Sequence, residues 1–531
     1  MARLVILSGR ISSGKSTLAA QLESQFGLEQ IRSRELLEAR LSAGRTATRA
    51  NLQKQGELLD TRSHGRWLAE ELGKALASHP DTAVVLVDNV RRSEQVEAIR
   101  AAFGSRVTHV HLTAPESVLA ARFAKRDRPG EAPSYQAAVA DPTEAQVETL
   151  AGIADIVIDT ERSTPSDVLA RAAARLGLFG SQTERLVDVL IGGGYGSEGK
   201  GHIASYLAKE YGLLVRVGGP NAGHKVMLEA GSYTHHVLPS GTRLCEAQLL
   251  IGPGAVLNVP QLRKEIAECG VEVGRLWIDP QAMVINDNDI ASESALVSEI
   301  GSTGQGVGAA TARRIMGRAA NAALARDVIE LRPFIRPAAD VLDEAYSSGK
   351  RIFLEGTQGT ALSLYHGSYP HVTSRDTTAS GCLAETGIPP SRVRRIVMVV
   401  RTYPIRVESP HGKTSGPMSR EISWAEVARR SGLNVDALRR AERTSTTDRR
   451  RRVAEFDWAL LHRAAALNGP TDIALTFSDY ITASNRDARR FEQLSEPTIH
   501  LVEEIEMVAA APVSLISTRF HARSIIDRRN W

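Results

Sequence analysis

Apolar residues fall in short blocks along the chain, and each block predicts an element. Residues 3–8 (Arg-Leu-Val-Ile-Leu-Ser) form a near-continuous apolar run into a Gly-rich turn, with a helix predicted to start near Lys15. Residues 83–88, 107–113 and 156–159 predict three more strands with helical patterns between them. Runs of this length read as buried strands, and their alternation with helices implies a parallel, doubly wound sheet. Residues 127–143, rich in Asp, Pro, Gly and Ala, predict a loop or lid, and residues 178–184 a linker. At residue 186 the pattern restarts with a strand over 186–191, a second Gly-rich turn and a helix. Further strands are predicted at 213–217, 352–355, 396–400, 473–477 and 512–517. The expected fold class is α/β, with two domains over 1–177 and 186–531, each a mostly parallel sheet flanked by helices.

Composition narrows the function. Apolar residues are 42% and charged residues 24% of 531, which excludes wholesale disorder. A net charge of +4 on so long a chain argues for neither nucleic acid nor a membrane surface. The longest plain apolar runs, at 396–400 and 84–87, are far below spanning length, and the run at 4–7 is too short for a signal-peptide core. Cys245, Cys269 and Cys382 are too few and too far apart for a disulfide framework or a metal-binding spacing, so a reducing, cytoplasmic location is expected.

The first Gly-rich turn, Gly9-Arg10-Ile11-Ser12-Ser13-Gly14-Lys15-Ser16 followed by Thr17, has the Walker A form. Its glycines let backbone N–H groups converge on phosphate oxygens at a helix N-terminus. Lys15 reaches the outer phosphates, and the Ser16 hydroxyl can ligate Mg²⁺. Asp88 ends a predicted strand, where a metal-orienting carboxylate or a plain turn residue would sit. Arg122, Arg126 and Arg128 are spaced to clamp a transferring phosphoryl group or to form a solvated basic face. The Walker loop, the segment 87–92 and the Arg-rich segment 122–128 give residues 1–175 a resemblance to the small P-loop nucleoside-monophosphate and deoxynucleotide kinases. Both expected domains are of P-loop type, in that each opens on a strand, a Gly-rich turn and a helix.

The second turn, Gly192 to Gly201, is Gly-Gly-Gly-Tyr-Gly-Ser-Glu-Gly-Lys-Gly and is not a Walker A. About twenty residues on comes Gly218-Gly219-Pro220-Asn221-Ala222-Gly223-His224. A His in such a turn, one strand on from a phosphate loop, is well placed for catalysis. Together with segments 301–308, 355–360, 366–374, 446–452 and 516–518, these motifs give residues 186–531 a resemblance to the adenylosuccinate synthetase family.

The resemblance implies a reaction. A nucleoside triphosphate, GTP or ATP, phosphorylates the 6-oxygen of a purine nucleoside monophosphate, and L-aspartate then displaces the phosphate. Carried over, Gly196, Glu198, Gly199, Lys200 and Gly201 would hold the donor's phosphates. His224 would be general acid toward the leaving nucleotide, with Ser197, Lys200 and Gln358 in the same catalytic set. Ser197 and the Gly223 carbonyl would stand at the Mg²⁺. Asn221, Thr303, Gln358 and Thr373 would bind the purine nucleotide. Thr447, Arg449 and Arg451 would bind aspartate, whose carboxylates suit paired guanidiniums. The run 449–452 could otherwise be a basic surface. Asp479 and Ser517 would meet the donor base. The resemblance also implies a homodimer, with a partner-subunit Arg falling at Arg318, although gapless counting puts Gly317 there.

Four departures matter. The family's loop Asp, a base at purine N1 and a Mg²⁺ ligand, is Ser197 here. A neutral hydroxyl cannot replace that base directly, but it leaves room and an acceptor for a purine 2-amino group. The same change resembles the phage-type branch that acts on dGMP. Phe477 stands for a Lys at the donor-base position, and Arg519 for a Gly after Ser517-Thr518. Asp448 stands for a Gly in the aspartate loop, where added negative charge would disfavour a dicarboxylate unless neighbouring arginines neutralise it. The reading is a bifunctional enzyme, a kinase-like half and a ligase-like half acting on IMP, GMP or dGMP. The alternative is a nucleotide kinase whose ligase half has become a binding or sensor module.

Overall fold

The structure is a computed structural model. It describes residues 2–530 except 41–48, 78, 81–82, 89, 126–133, 141–143, 145, 180–183, 230, 319–322, 410–413 and 445–447. Thr447, Arg126, Arg128 and much of the predicted 127–143 loop and 178–184 linker lie outside the described residues. The chain divides into two compact units, Met1–Phe179 and Gly180–Trp531.

The first unit is built on a five-stranded sheet, all parallel, in the order Glu29–Arg32, Val84–Asp88, Arg3–Ser8, Val107–Thr113, Ile156–Asp159. Val5, Leu7, Leu86, Val110 and Leu112 are buried in one apolar cluster and Leu4, Ile6, Val85 and Val87 in another, so the central strands carry apolar side chains on both faces, as helix-covered parallel strands must. The helix Lys15–Phe26 starts directly after the Walker loop, with Gly14 at φ 101 as its N-cap. The edge strand Glu29–Arg32 (Glu-Gln-Ile-Arg) was not expected, because its polar composition carries no apolar block.

The second unit has a nine-stranded sheet. Its order is Leu276–Ile278, Gln248–Ile251, Leu213–Arg216, Ile352–Glu355, Val187–Gly192, Val393–Arg401, Asp472–Thr476, Val513–Ser517, Ile525–Asp527. Every pairing is parallel except the last. Two apolar clusters pack on its faces, one including Val189, Val215, Leu354 and Leu475, the other Leu190, Leu214, Phe353 and Ala474. The α/β class with mostly parallel sheets therefore holds in both units. The predicted strand over 473–477 ends a residue earlier, because Phe477 turns to φ 60 and leaves the ladder. A small antiparallel sheet of Ile405–Val407, Arg451–Ala454 and Glu421–Ile422, and the hairpin His224–Leu228 with Gly231–His235, are further elements.

Candidate active site

The phosphate loop of the second unit runs from Val187–Gly192 into the helix Lys200–Leu207, with Gly196 at φ 96 and Gly199 at φ 88. It is cross-braced by its own charged side chains. Glu198 Oε1 accepts from the backbone N–H of Gly194 at 3.1 Å and of Gly196 at 2.6 Å. Lys200 Nζ donates to Glu198 Oε2 at 2.8 Å and to the Gly196 carbonyl at 3.2 Å, and is almost fully buried. The loop is thus pre-shaped, its ammonium held by a carboxylate and a carbonyl. Ser197 is half-buried beside it, and its carbonyl accepts from Arg401 at 3.3 Å.

Close glycine contacts bring the separate motifs to this loop. A Cβ on Gly201 would come within 2.9 Å of the His224 Cβ, so the helix start and the strand bearing His224 touch only because residue 201 has no side chain. Likewise a Cβ on Gly359 would meet the Gly194 carbonyl at 2.3 Å, which seats segment 355–360 on the loop.

His224 is fully buried and oriented by a carboxylate that sequence reasoning gave no role. Its Nδ1 bonds Glu355 Oε1, and its Nε2 has no partner among the described residues. Glu355 also accepts from the Ser240 N–H at 2.7 Å and the Ser240 hydroxyl, and it pairs with the buried Arg216 guanidinium at 3.4 Å. Burial opposes its charge, but Arg216, His224 and Ser240 outweigh that and hold Glu355 at about 2. Burial, then Arg216, pushes His224 down to about 4 against the pull of Glu355. The resting imidazole is neutral, with Nδ1–H donated to Glu355 and the Nε2 lone pair facing away. The only sequence trace of this pairing was that both residues sit in Gly-flanked segments.

Asn221 and Gln358 do come together. Gln358 Nε2 donates to Asn221 Oδ1 at 3.0 Å, and Thr357 Oγ1 donates to Gln358 Oε1 at 2.8 Å. Arg375 Nη1 donates to Thr357 Oγ1 at 2.8 Å, and Glu385 anchors Arg375 at 2.6 Å. Gln358 holds φ 57, a conformation a non-glycine residue adopts only when its surroundings fix it. Arg318 is exposed and lines an open cavity of about 1140 Å³ with Gly218, Arg314, Leu364, Ser374 and Arg375. Thr303 and Thr373 are half-buried, and the Thr373 N–H bonds the Leu362 carbonyl at 2.8 Å.

The two described arginines of the expected aspartate loop differ. Arg449 Nη1 donates to the Gly301 and Ser302 carbonyls at 3.4 and 3.3 Å, next to Thr303. Arg451 is half-buried and pairs with Glu442 at 3.1 Å. Glu442 also holds Arg401 and accepts from the Tyr480 hydroxyl at 2.7 Å. Asp448, where the family pattern has Gly, adopts φ 49, which explains the preference for Gly there. Its carboxylate is largely exposed and pairs with Arg443 at 2.6 Å, so a neighbouring arginine does answer the added charge.

At the expected donor-base position, Asp479 is buried and pairs with Arg486 at 3.1 Å, and burial pushes its carboxyl up to about 6. The Arg401 guanidinium stacks 3.8 Å over the Phe477 ring. Ser517 Oγ is turned to the Arg519 carbonyl at 3.0 Å.

In the first unit Lys15 Nζ curls back onto the Gly9 and Arg10 carbonyls at 2.5 and 3.0 Å. A cavity of about 350 Å³ is lined by Ser12, Ser13, Gly14, Thr17, Arg122 and Thr160. Arg122 is pinned by donating to Thr160 Oγ1 and its carbonyl, at 2.9 and 2.8 Å. Ser16 is exposed at the helix start. No helix among the described residues is long and apolar enough to cross a membrane.

Fold and site together define a nucleotide-binding α/β enzyme that carries two phosphate loops, one per unit. The adenylosuccinate synthetase family model matches residues 189–328 and 318–486, and an AAA-domain model matches 4–150. The adenylosuccinate synthetase of Methanocaldococcus jannaschii is 36% identical over 351 residues, covering 64% of this chain and 96% of the relative. That of Thermococcus onnurineus is 37% identical over 352 residues, covering 64% and 98%. A solved succinoaminodeoxyadenylate synthetase of cyanophage S-2L, bound to dGMP and to dATP as energy donor, is 28% identical, with TM-score 0.56, over 65% of this chain and 96% of that one. A Plasmodium falciparum adenylosuccinate synthetase shares the fold, at TM-score 0.56 and 20% identity, over 65% of this chain and all of the other. The chain belongs to the adenylosuccinate synthetase family, C–N bond-forming ligases of purine biosynthesis, and carries an N-terminal P-loop kinase-like domain.

Proposed function

We propose that the second unit ligates L-aspartate to C6 of a purine nucleoside monophosphate at the expense of GTP or ATP, and that its preferred purine carries a 2-amino group, as in GMP or dGMP. The observation that carries the preference is Ser197 at the loop position where the family pattern has Asp. It is supported by the cyanophage relative, whose solved complex contains dGMP. A hydroxyl can accept from an exocyclic amine without setting a charge beside it. The pairing of Asn221 with Gln358 supports their assignment to the purine nucleotide.

His224 is the proposed acid, and Glu355 its positioning residue. Negative charge of a phosphoryl group arriving near Nε2 counters the burial and the Arg216 charge that keep the imidazole neutral. Nε2 can then hold the proton that is given up as the phosphoanhydride breaks. Arg449, with Thr447 and Arg451, is the proposed aspartate cradle. Asp479 and Ser517 are proposed to meet the donor base.

Mg²⁺ fits the oxygen donors present, the Ser197 hydroxyl and the Gly223 carbonyl. The one loop carboxylate, Glu198, is taken by two backbone N–H groups and Lys200. The ion would therefore be held chiefly by substrate phosphates, its usual mode. When bound it would supply charge neutralisation on the transferring phosphoryl group. A homodimer with Arg318 at its interface, and phosphoryl transfer by the Lys15 loop with Ser16 toward a second Mg²⁺, complete the proposal.

The test is a panel of IMP, dIMP, GMP and dGMP with aspartate and either GTP or ATP, read by product mass. Aspartate-dependent phosphate release with a succinylated 2-amino purine product is the expected result. Product from IMP alone would refute the preference, and phosphate release without aspartate would refute the ligation.

A further inference from the structure

Arg375 lies one residue past the segment 366–374 that carries the family resemblance, and sequence reading assigns it no role. Its side chain is only 9% exposed, and each of its guanidinium nitrogens already has a partner. Nε donates to Glu385 Oε1 at 2.6 Å and Nη2 to Cys382 Sγ at 3.7 Å. Nη1 donates to Thr357 Oγ1 at 2.8 Å and to the Thr357 carbonyl at 3.4 Å. A guanidinium so committed is not a clamp for a substrate phosphate, although Arg375 borders the open cavity that Arg318 also lines.

What Arg375 does fix is the direction of a chain of hydrogen bonds. Arginine only donates, so Thr357 Oγ1 accepts from it and sends its own hydrogen on to the Gln358 amide, 2.8 Å away. Arg375 Nη1 also stands 3.5 Å from that same amide atom. Two donors converge there, so the atom is the oxygen, and Nε2 is the end that faces Asn221. The Asn221 atom that accepts from Nε2 at 3.0 Å is in turn the oxygen. Both amides therefore keep N–H groups for a ligand: Asn221 Nδ2 and the second Gln358 N–H make no hydrogen bond among the described residues. A close backbone approach makes room for the relay. Gly218, at φ 90, brings the chain so near that a Cβ there would stand 2.2 Å from Thr357 Oγ1.

We propose that Arg375 is a positioning residue that sets the polarity of the Asn221–Gln358 pair, so that the site takes a 6-oxo purine nucleotide and rejects its 6-amino counterpart. This rests on the reading of the second unit given above, in which Asn221 and Gln358 meet the purine nucleotide. A 6-oxo purine offers an acceptor at O6, which amide N–H groups satisfy. A 6-amino purine offers N–H there, so donor faces donor and neither is satisfied. Without the arginine and the threonine hydroxyl, either orientation of the two amides satisfies the pair, and an oxygen can face the ligand instead. The discrimination has chemical value, because a 6-amino nucleotide has no 6-oxygen to phosphorylate and would only block the site.

The experiment follows aspartate ligation by the full chain at saturating aspartate and donor. It compares KM for a 6-oxo nucleotide with Ki for its 6-amino counterpart as competitive inhibitor. Two pairs are used, dGMP with the 2,6-diaminopurine deoxynucleotide and IMP with AMP, so the comparison does not depend on the 2-amino group. Ligation as the readout confines the measurement to the second unit. Wild type should favour the 6-oxo member by about tenfold or more. Arg375→Met and Thr357→Val should each cut that preference by about tenfold, whereas Thr357→Ser, which keeps the hydroxyl, should retain it. Thr357→Val removes the relay without touching a charge, and so carries the test if Arg375→Met, which leaves Glu385 unanswered, does not fold. A wild type that binds both members equally, variants that weaken both members equally and leave the ratio unchanged, or a Thr357→Ser protein that behaves like Thr357→Val would overturn the proposal alone. Absence of ligation from every 6-oxo nucleotide in wild type would overturn the reading it rests on, and the proposal with it.

Discussion

Glu355→Gln is the perturbation that most sharply separates orientation from binding at His224. Glu355 is fully buried, and its two oxygens accept from His224 Nδ1, the Ser240 N–H and the Ser240 hydroxyl while facing Arg216. An amide has one oxygen and one NH₂. Either the NH₂ faces the Ser240 N–H and is repelled, or it faces Nδ1 and forces the imidazole to the other tautomer. In both cases the Arg216 guanidinium loses the carboxylate it pairs with and keeps the backbone carbonyls of Ala222 at 2.9 Å, Leu238 at 3.2 Å, His236 at 3.3 Å and His235 at 3.4 Å. Breaking a buried pair costs about 3–5 kcal/mol of stability. If the tautomer flips, kcat for ligation should fall by about 10²–10⁴-fold, as it should in His224→Ala, while purine nucleotide affinity changes little. Ser240→Ala is the mild control: one neutral donor lost, about 0.5–1.5 kcal/mol and no change of tautomer. Urea unfolding gives the stability, and aspartate-dependent phosphate release at saturating nucleotide gives kcat. A Glu355→Gln protein that is stable and turns over like wild type would refute the orienting role. Equal losses of kcat in Ser240→Ala and Glu355→Gln would show that packing, not the tautomer, matters.

Two further outcomes follow from the geometry. Asp448→Gly relieves a left-handed φ and loses an exposed pair with Arg443, so stability should shift by less than about 1 kcal/mol and KM for aspartate by less than about threefold; a large fall in that KM would mean Asp448 faces the substrate. His109 and His111 bracket the Ser8 hydroxyl at 2.6 and 2.8 Å, and burial first of all pushes both down to about 4 from an ordinary 6.5. In that window the unfolded chain binds protons the folded unit does not, so stability is full above pH 6.5 and falls toward pH 4 by up to about 1.4 kcal/mol per pH unit for each His. Urea unfolding of the full chain across this range, with His111→Gln expected to flatten the slope, checks it; a flat wild-type profile would contradict it.

How much was legible in the sequence depended on whether a feature is local. The strand–loop–helix starts at Lys15 and Lys200 were readable because the glycine spacing and the flanking apolar runs lie within a dozen residues. The placement of His224 in a Gly-rich turn one strand on from the second loop was readable for the same reason. Glu355 was not, because its contact with His224 spans 131 residues and a Glu ending a strand has no local signature. The ion-pair set of Arg401, Glu442 and Arg451 was hidden in the same way. Arg451, expected to bind aspartate, is salt-bridged to Glu442. Lys200, expected to reach phosphates, rests against Glu198 two positions away, a brace that motif spacing cannot distinguish from a ligand contact. The strand Glu29–Arg32 and the small antiparallel sheet were missed because strands of only two to four residues are too short to show a period. Asp448 was legible as a departure, but only its φ explains why Gly suits that position.

The central claim is that Ser197 selects a purine with a 2-amino group. Its most direct measurement is kcat/KM for dGMP and for IMP, in wild type and in Ser197→Asp, at saturating aspartate and donor. Wild type should favour dGMP, and Ser197→Asp should move the ratio toward IMP by roughly ten- to a hundredfold, the worth of one misplaced polar contact of about 1–3 kcal/mol. A wild-type preference for IMP, or a ratio the substitution leaves unchanged, would contradict the account and favour the ordinary adenylosuccinate reaction.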